Sequence, residues 1–291
     1  MNKKSIIDIK NDDISDESIK IDIMQSKICP MLPFSITGAG KFIANKDYYI
    51  ERTGRNDYCL IYTVSGNGEL TVDKNRRVLS RNTVVLFDCK KYHKYTTAAN
   101  LSDKWEFYYL QITGRSCDVY MDFLFQRSYL PINITDNLTL TNLFETTINI
   151  SQKTDPDIPF YLSDSVCQIM KLLIDTKKSA MKENIRQNEI VQKAISYIKE
   201  NYSLLIKIED ISEHIGISKY YFMRLFKQTM RVTLYEYLLM FRINEAKKLF
   251  QNTDYTSYQI SRIVGFNDEF NFSRTFKKIT GMSPRNYKGT Y

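Results

Sequence analysis

Histidine is almost missing from this chain of 291 residues, with only His93 and His214. Cysteine is scarce as well, and its five positions (29, 59, 89, 117 and 167) include no Cys-x-x-Cys pair. Zinc and iron centres need several imidazole or thiolate ligands converging on one ion, so the reading carries no metal site. An odd, scattered set of cysteines makes no disulfide framework and points to free thiols. No apolar run approaches the roughly 18 residues that a membrane-crossing helix needs. The opening stretch MNKKSIIDIKNDDISDESIK has basic residues but no apolar segment behind them, so no secretory signal is expected and the cytoplasm is the expected compartment.

What is present is ordinary in bulk and uneven in detail. The apolar content of 43% is that of a globular protein, and the length allows two domains with separate cores. Residues 186–291 hold 17 Lys and Arg against 10 Asp and Glu, whereas residues 1–185 hold 24 against 23. The positive excess therefore lies in the last third, as in a nucleic-acid-facing module joined to a near-neutral partner domain. A merely solvated basic face would give the same count, so charge alone does not decide.

Along the chain, residues 1–25 are polar and read as a flexible tail. Residues 26–176 read as one domain that begins as strands. DYCLIYTVSG alternates Leu60, Tyr62 and Val64 with Cys59, Ile61 and Thr63, and KWEFYYLQITG alternates Trp105, Phe107 and Tyr109 with Glu106, Tyr108 and Leu110. Short strands with turns every 8–12 residues predict an antiparallel barrel or sandwich. After Gly114 the apolar spacing becomes helical, and the amphipathic stretch 159–176 is a candidate for self-association. The polar segment 177–188 reads as a linker, and 189–291 as all helix.

Within the last domain a unit repeats. Ile211 and Gly216 match Ile260 and Gly265 at an offset of 49, and Phe222, Arg224, Phe226, Lys227 and Tyr237 match Phe272, Arg274, Phe276, Lys277 and Tyr287 at an offset of 50. The repeated element is helix, glycine turn, helix. Phenylalanines four apart cover one face of each second helix, which leaves a basic outer face suited to the major groove. Helix-turn-helix pairs also serve as plain packing units, but two basic copies in one domain favour DNA. Ser218, and Asn267 or Asp268, are the expected N-caps.

These residues resemble the DNA-binding domain of AraC/XylS-type transcription regulators. The resemblance covers Glu189 to Tyr287 and rests on Arg242, Ile243, Ala246 and Leu249 of a linker helix, Gly265-Phe266, Phe272 to Lys277, and Gly281 to Tyr287. It implies two helix-turn-helix units joined by a long helix, entering successive major-groove segments. The implied DNA-facing residues are Lys219, Tyr220, Met223, Arg224 and Lys227 in the first unit, and Asp268, Glu269, Phe270, Asn271, Arg274 and Lys277 in the second. Ser212 and Ser261 depart from the family's small alanine, and Arg231 stands where a glycine usually ends the first recognition helix.

The first half resembles the cupin-like sensor half of sugar-responsive members, through the strand at 57–62, the Ser-Gly-x-Gly turn, the Lys-Tyr-His-Lys-Tyr segment and the Trp105 strand. The fold class expected is α+β: a cupin-like antiparallel β-barrel with following helices, then an all-α domain with the two helix-turn-helix units. For an effector, carbohydrate favoured, the candidate residues are Arg52, Tyr62, His93, Tyr95 and Trp105, aromatic rings for stacking and polar groups for hydroxyls. Each also has a plain structural reading, as core or as a satisfied histidine. No catalytic residue, metal or cofactor is implied. The implied function is an effector-responsive regulator, more an activator than a repressor, acting as a homodimer on double-stranded DNA with RNA polymerase. The alternatives are a regulator without effector, controlled by a protein partner or by its expression level, and a cupin enzyme with an accessory helical domain, against which the histidine count argues.

Overall fold

The computed structural model describes residues 8–98 and 100–289. The chain divides into two compact units, one ending at Ala180 and the other beginning at Met181.

The first unit holds strands β1 (Asp8–Asn11), β2 (Ile19–Asp22), β3 (Ser35–Asn45), β4 (Tyr49–Arg52), β5 (Tyr58–Gly66), β6 (Gly68–Val72), β7 (Asn75–Leu79), β8 (Thr83–Asp88), β9 (His93–Thr97), β10 (Lys104–Thr113) and β11 (Ile132–Asn133). They form two open antiparallel sheets, ordered β1-β4-β9-β6-β7 and β11-β8-β5-β10-β3-β2. Aromatic rings join the sheets' inner faces. Tyr95 of one sheet meets Trp105 of the other edge-on at 6.5 Å, and lies 5.9 Å from Phe87. Helices α1 (Cys117–Tyr120), α2 (Asn137–Ser151) and α3 (Ile158–Asn201) follow, with a π-helical turn at Met121–Phe125. Phe144 of α2 packs on the outer face of β5 and β10, so the alternating residues of β5 are buried on both sides, from Tyr58 to Thr63.

Two expected boundaries change. Residues 1–25 read as a flexible tail, but β1 pairs with β4 and β2 with β3, so each lies at the edge of a sheet. Their side chains are nearly all exposed, and what holds them is the main-chain ladder, which a polar composition neither reveals nor prevents. Residues 1–7 lie outside the described residues. The segment 177–188 read as a linker, yet it lies inside α3, which runs without a break from Ile158 to Asn201. Its Lys, Ala, Met, Glu, Arg and Gln are strong helix formers, and it has no Gly or Pro to stop it.

The second unit comprises the end of α3, then α4 (Ile208–Ile215), α5 (Lys219–Met230), α6 (Leu234–Asn252), α7 (Ser257–Ile263), α8 (Glu269–Thr280) and α9 (Pro284–Lys288). It has two small cores, one per repeat. Ile211, Phe222, Leu225 and Phe226 pack with Ile190, Val191 and Ala194 of α3, while Ile260, Phe266, Phe272 and Phe276 pack with Tyr287. Helix α6 serves both, giving Leu234 and Leu238 to the first and Ile243, Ala246 and Phe250 to the second. A phenylalanine-to-alanine change in such a core costs about 3–5 kcal/mol, so the repeated pairs are the anchors of each unit. Ser212 and Ser261 fit because their hydroxyls donate to the carbonyls of Glu209 and Tyr258, at 3.0 and 2.7 Å.

Candidate nucleic-acid interface and effector cavity

Helices α5 and α8 are the second helices of the two turns, and each starts on a side-chain cap. Ser218 accepts from the Tyr221 N–H at 3.4 Å, and Asp268 accepts from the Asn271 N–H at 2.9 Å. The carboxylate of Asp268, read as a DNA-facing group, is thus engaged as a cap, where it also favours the positive end of the helix. On α5, Phe222, Leu225 and Phe226 point inward, which leaves Tyr220, Met223, Arg224 and Lys227 exposed at spacings of three, four and seven. Lys219 is half-buried and ion-paired to Glu209 of α4, which raises its pKa. On α8, Phe272 and Phe276 point inward, and Glu269, Phe270, Asn271, Arg274 and Lys277 are exposed. Tyr220, Met223, Arg224 and Lys227 therefore share one open face of α5, and Phe270, Asn271, Arg274 and Lys277 one side of α8, whereas Lys219 and Glu269 each stand seven residues before a buried phenylalanine, on the core side of the first turn.

The ends of these helices differ. Arg231 caps α5 in the left-handed conformation at φ 61°, and Gly281 caps α8 at φ 84°, each N–H donating to the carbonyl four residues back. The arginine thus adopts the backbone that its glycine counterpart adopts without steric cost. A clamp joins the two repeats. Arg242 of α6 is buried, and its Nε and an Nη donate to the carbonyls of Tyr202 and Leu204, both at 2.7 Å. Its guanidinium also lies 5.7 Å from the Phe266 ring. Gly265 closes on the same loop, since a Cβ there would stand 2.7 Å from the Tyr202 oxygen and 2.8 Å from that of Ser203.

In the first unit the five effector candidates separate. Arg52 and Tyr95 line one cavity of about 70 Å³ between the sheets, together with Lys20, Arg55, Tyr109 and Gln111. Arg52 Nε donates to Asp8 at 2.6 Å, and Arg55 bonds Asp57 at 2.7 Å and Gln111 at 2.9 Å. Asp8 is held below the usual carboxylate range by the Arg52 hydrogen bond. His93 stacks on Tyr95 at 6.3 Å, is buried, and bonds the Lys91 carbonyl through Nδ1, and burial holds its pKa down. Trp105 is core: it stacks on Phe107 at 3.9 Å and donates to Thr63 at 3.1 Å. Tyr62 faces the other way, parallel to Tyr108 at 6.2 Å and against Phe144 of α2. Arg55 and Gln111, which were not among the sequence candidates, line the same cavity, and Gln111 continues the alternation of Trp105, Phe107 and Tyr109. A larger cleft of about 430 Å³ lies outside the sheets, between residues 22–36 and the turn from α2 into α3, with Ile158 and Leu162 in its wall.

Among the described residues no helix is long and apolar enough to cross a membrane, and no three His, Cys, Asp or Glu side chains stand together as metal ligands. The family model for a helix-turn-helix domain matches residues 211–290, and that for an AraC-like ligand binding domain matches residues 41–163. The melibiose operon regulatory protein of Escherichia coli (strain K12) is 34% identical over 98 residues, which are 34% of this chain. The match spans 32% of that relative, about a third of its length. The raffinose operon transcriptional regulatory protein of Pediococcus pentosaceus is 31% identical over 104 residues, 36% of this chain and 38% of that protein. The Msm operon regulatory protein of Streptococcus mutans serotype c is 22% identical over 264 residues, 87% of this chain and 92% of that protein.

Proposed function

The chain belongs to the AraC family of transcription regulators, and on that premise we propose that it binds double-stranded DNA sequence-specifically through α5 and α8. The observation that carries this is the pair of matched open faces, Arg224 and Lys227 on one helix and Arg274 and Lys277 on the other, in a unit with a strong positive excess. Arginine reads guanine in the major groove, asparagine reads adenine, and the outer lysines neutralise phosphate. The protein acts in the cytoplasm as a homodimeric activator that engages RNA polymerase. Its effector is a carbohydrate, which the names of the melibiose and raffinose regulators support. Arg52, Arg55, Tyr95 and Gln111 would supply the hydrogen bonds, and ligand binding would shift the population toward the DNA-competent arrangement.

The test is salt-dependent binding to DNA from upstream of the regulated genes. Arg274→Ala should cost on the order of 1–3 kcal/mol on the specific site and little on random DNA. Equal binding of the wild type to both would overturn the reading. The volume of the cavity between the sheets argues against an effector there and opens a second reading for control, while the cleft of about 430 Å³ outside the sheets is large enough for one. Sites for small molecules usually span about 300–1,000 Å³, far above the roughly 70 Å³ between the sheets. A regulator that answers to a protein partner or to its own expression level needs no larger space. A thermal-shift screen of sugars separates the two, since a bound effector raises the melting temperature by mass action.

A further inference from the structure

We infer that the two recognition helices select thymine, each through one aromatic side chain, Tyr220 on α5 and Phe270 on α8, packed on the C5-methyl group in the major groove. The inference rests on the DNA-binding reading and adds the base class to it. Tyr220 and Phe270 occupy the same place in the repeat, 50 residues apart and second in their helices. They are 84% and 79% exposed, more than any other aromatic side chain among the described residues. One such ring on a surface is unremarked, but the repeat sets this pair where both helices turn their open faces.

The chemistry narrows the target. Phe270 has no hydrogen-bonding atom, so it can tell bases apart only by apolar contact. On the major-groove edge of a base pair the one apolar group is the thymine methyl. Both rings are followed by cations four and seven residues on, Arg224 and Lys227 or Arg274 and Lys277, which fit a polyanion better than an apolar protein surface. The two copies then diverge. Met223, exposed on the turn after Tyr220, has the half-buried Ser273 as its counterpart. The first unit therefore offers the Tyr220 ring and the Met223 side chain, and the second the Phe270 ring alone, backed by Asn271 and Arg274.

The experiment starts from a site selected by the full chain out of random duplex DNA, and replaces each thymine in turn by deoxyuridine, which removes only the methyl. Losing one buried methyl should weaken binding about fourfold, the equivalent of about 0.8 kcal/mol. Two groups of sensitive positions are expected, about one helical turn apart. Phe270→Ala should make one group indifferent to uracil and Tyr220→Ala the other, while Phe270→Leu keeps the sensitivity. Both residues are exposed, so the melting temperatures of the variants should match the wild type. A selected site with no uracil-sensitive position, or sensitivity unchanged by both alanine variants, overturns the inference and leaves sequence-specific binding standing. Failure to select any site overturns both.

Discussion

Replacing Arg242 by methionine tests the clamp between the two repeats. The guanidinium holds two carbonyls of the α3–α4 loop at 2.7 Å each, and burial pushes its pKa down. Hydrogen bonds from a charged donor are worth about 1.5–3 kcal/mol each, so two amount to roughly 3–6 kcal/mol gross. Returning a buried cation to water gives part of that back, because burial disfavours its charge. Methionine refills the space beside Phe266 but leaves both carbonyls without this donor. A net loss of about 2–4 kcal/mol follows, which for a unit of this size lowers the melting temperature by roughly 10–20 °C. Calorimetry of the full chain should show the helical transition moving while the sheet-rich transition stays. Arg242→Lys should fall between, since one ammonium cannot bridge both carbonyls as the fork does. A loss under about 1 kcal/mol for the methionine variant would show that water satisfies the loop equally well, and would refute the clamp.

Arg231→Gly should stabilise the helical unit by about 0.5–1 kcal/mol, because relief of the left-handed backbone outweighs the added freedom of the unfolded chain. Denaturant titration checks the sign, and a loss would mean that the Arg231 side chain contributes more than the backbone costs. For His93, burial holds the folded-state pKa below its ordinary value, so the unfolded chain takes up this proton first as pH falls. Its stability contribution is full above about pH 6.5 and is lost below that. The melting temperature of the sheet-rich unit should thus fall between pH 7.5 and 5.5, and fall less in His93→Phe; equal slopes would remove His93 as the cause.

The repeat was legible because phenylalanines four apart and a glycine turn leave few other solutions, and the open faces of α5 and α8 follow from them. The effector candidates were less legible for a definite reason. Period-two alternation sorts β5 and β10 into two faces, but both faces are buried, one between the sheets and one under α2. Alternation alone therefore could not tell that Tyr62 points at Phe144 while Trp105 and Tyr95 point between the sheets. The edge strands β1 and β2 escaped for a related reason. Their side chains are mostly exposed, and a main-chain ladder carries no hydrophobic pattern. The polar stretch inside α3 was the opposite case, since its composition looks like a linker while its residues individually favour helix.

Duplication by itself would give two helix-turn-helix units on a chain free to splay, and the departures from symmetry show what prevents that. Helix α6 belongs to both cores, so neither repeat can bury its phenylalanines without fixing one end of α6. The α3–α4 loop is held from one side by Arg242 and approached on the other by Gly265. A side chain at 265 would push that loop away by way of two main-chain oxygens, which cannot rotate aside as a flexible side chain can. The glycine of the second turn, which looks in the sequence like a plain counterpart of Gly216, therefore carries a constraint that Gly216 does not, since a Cβ at 216 would meet nothing within 4 Å. Equivalent positions in the repeat have unequal duties, and the second repeat's turn is also the joint that sets α5 and α8 against each other.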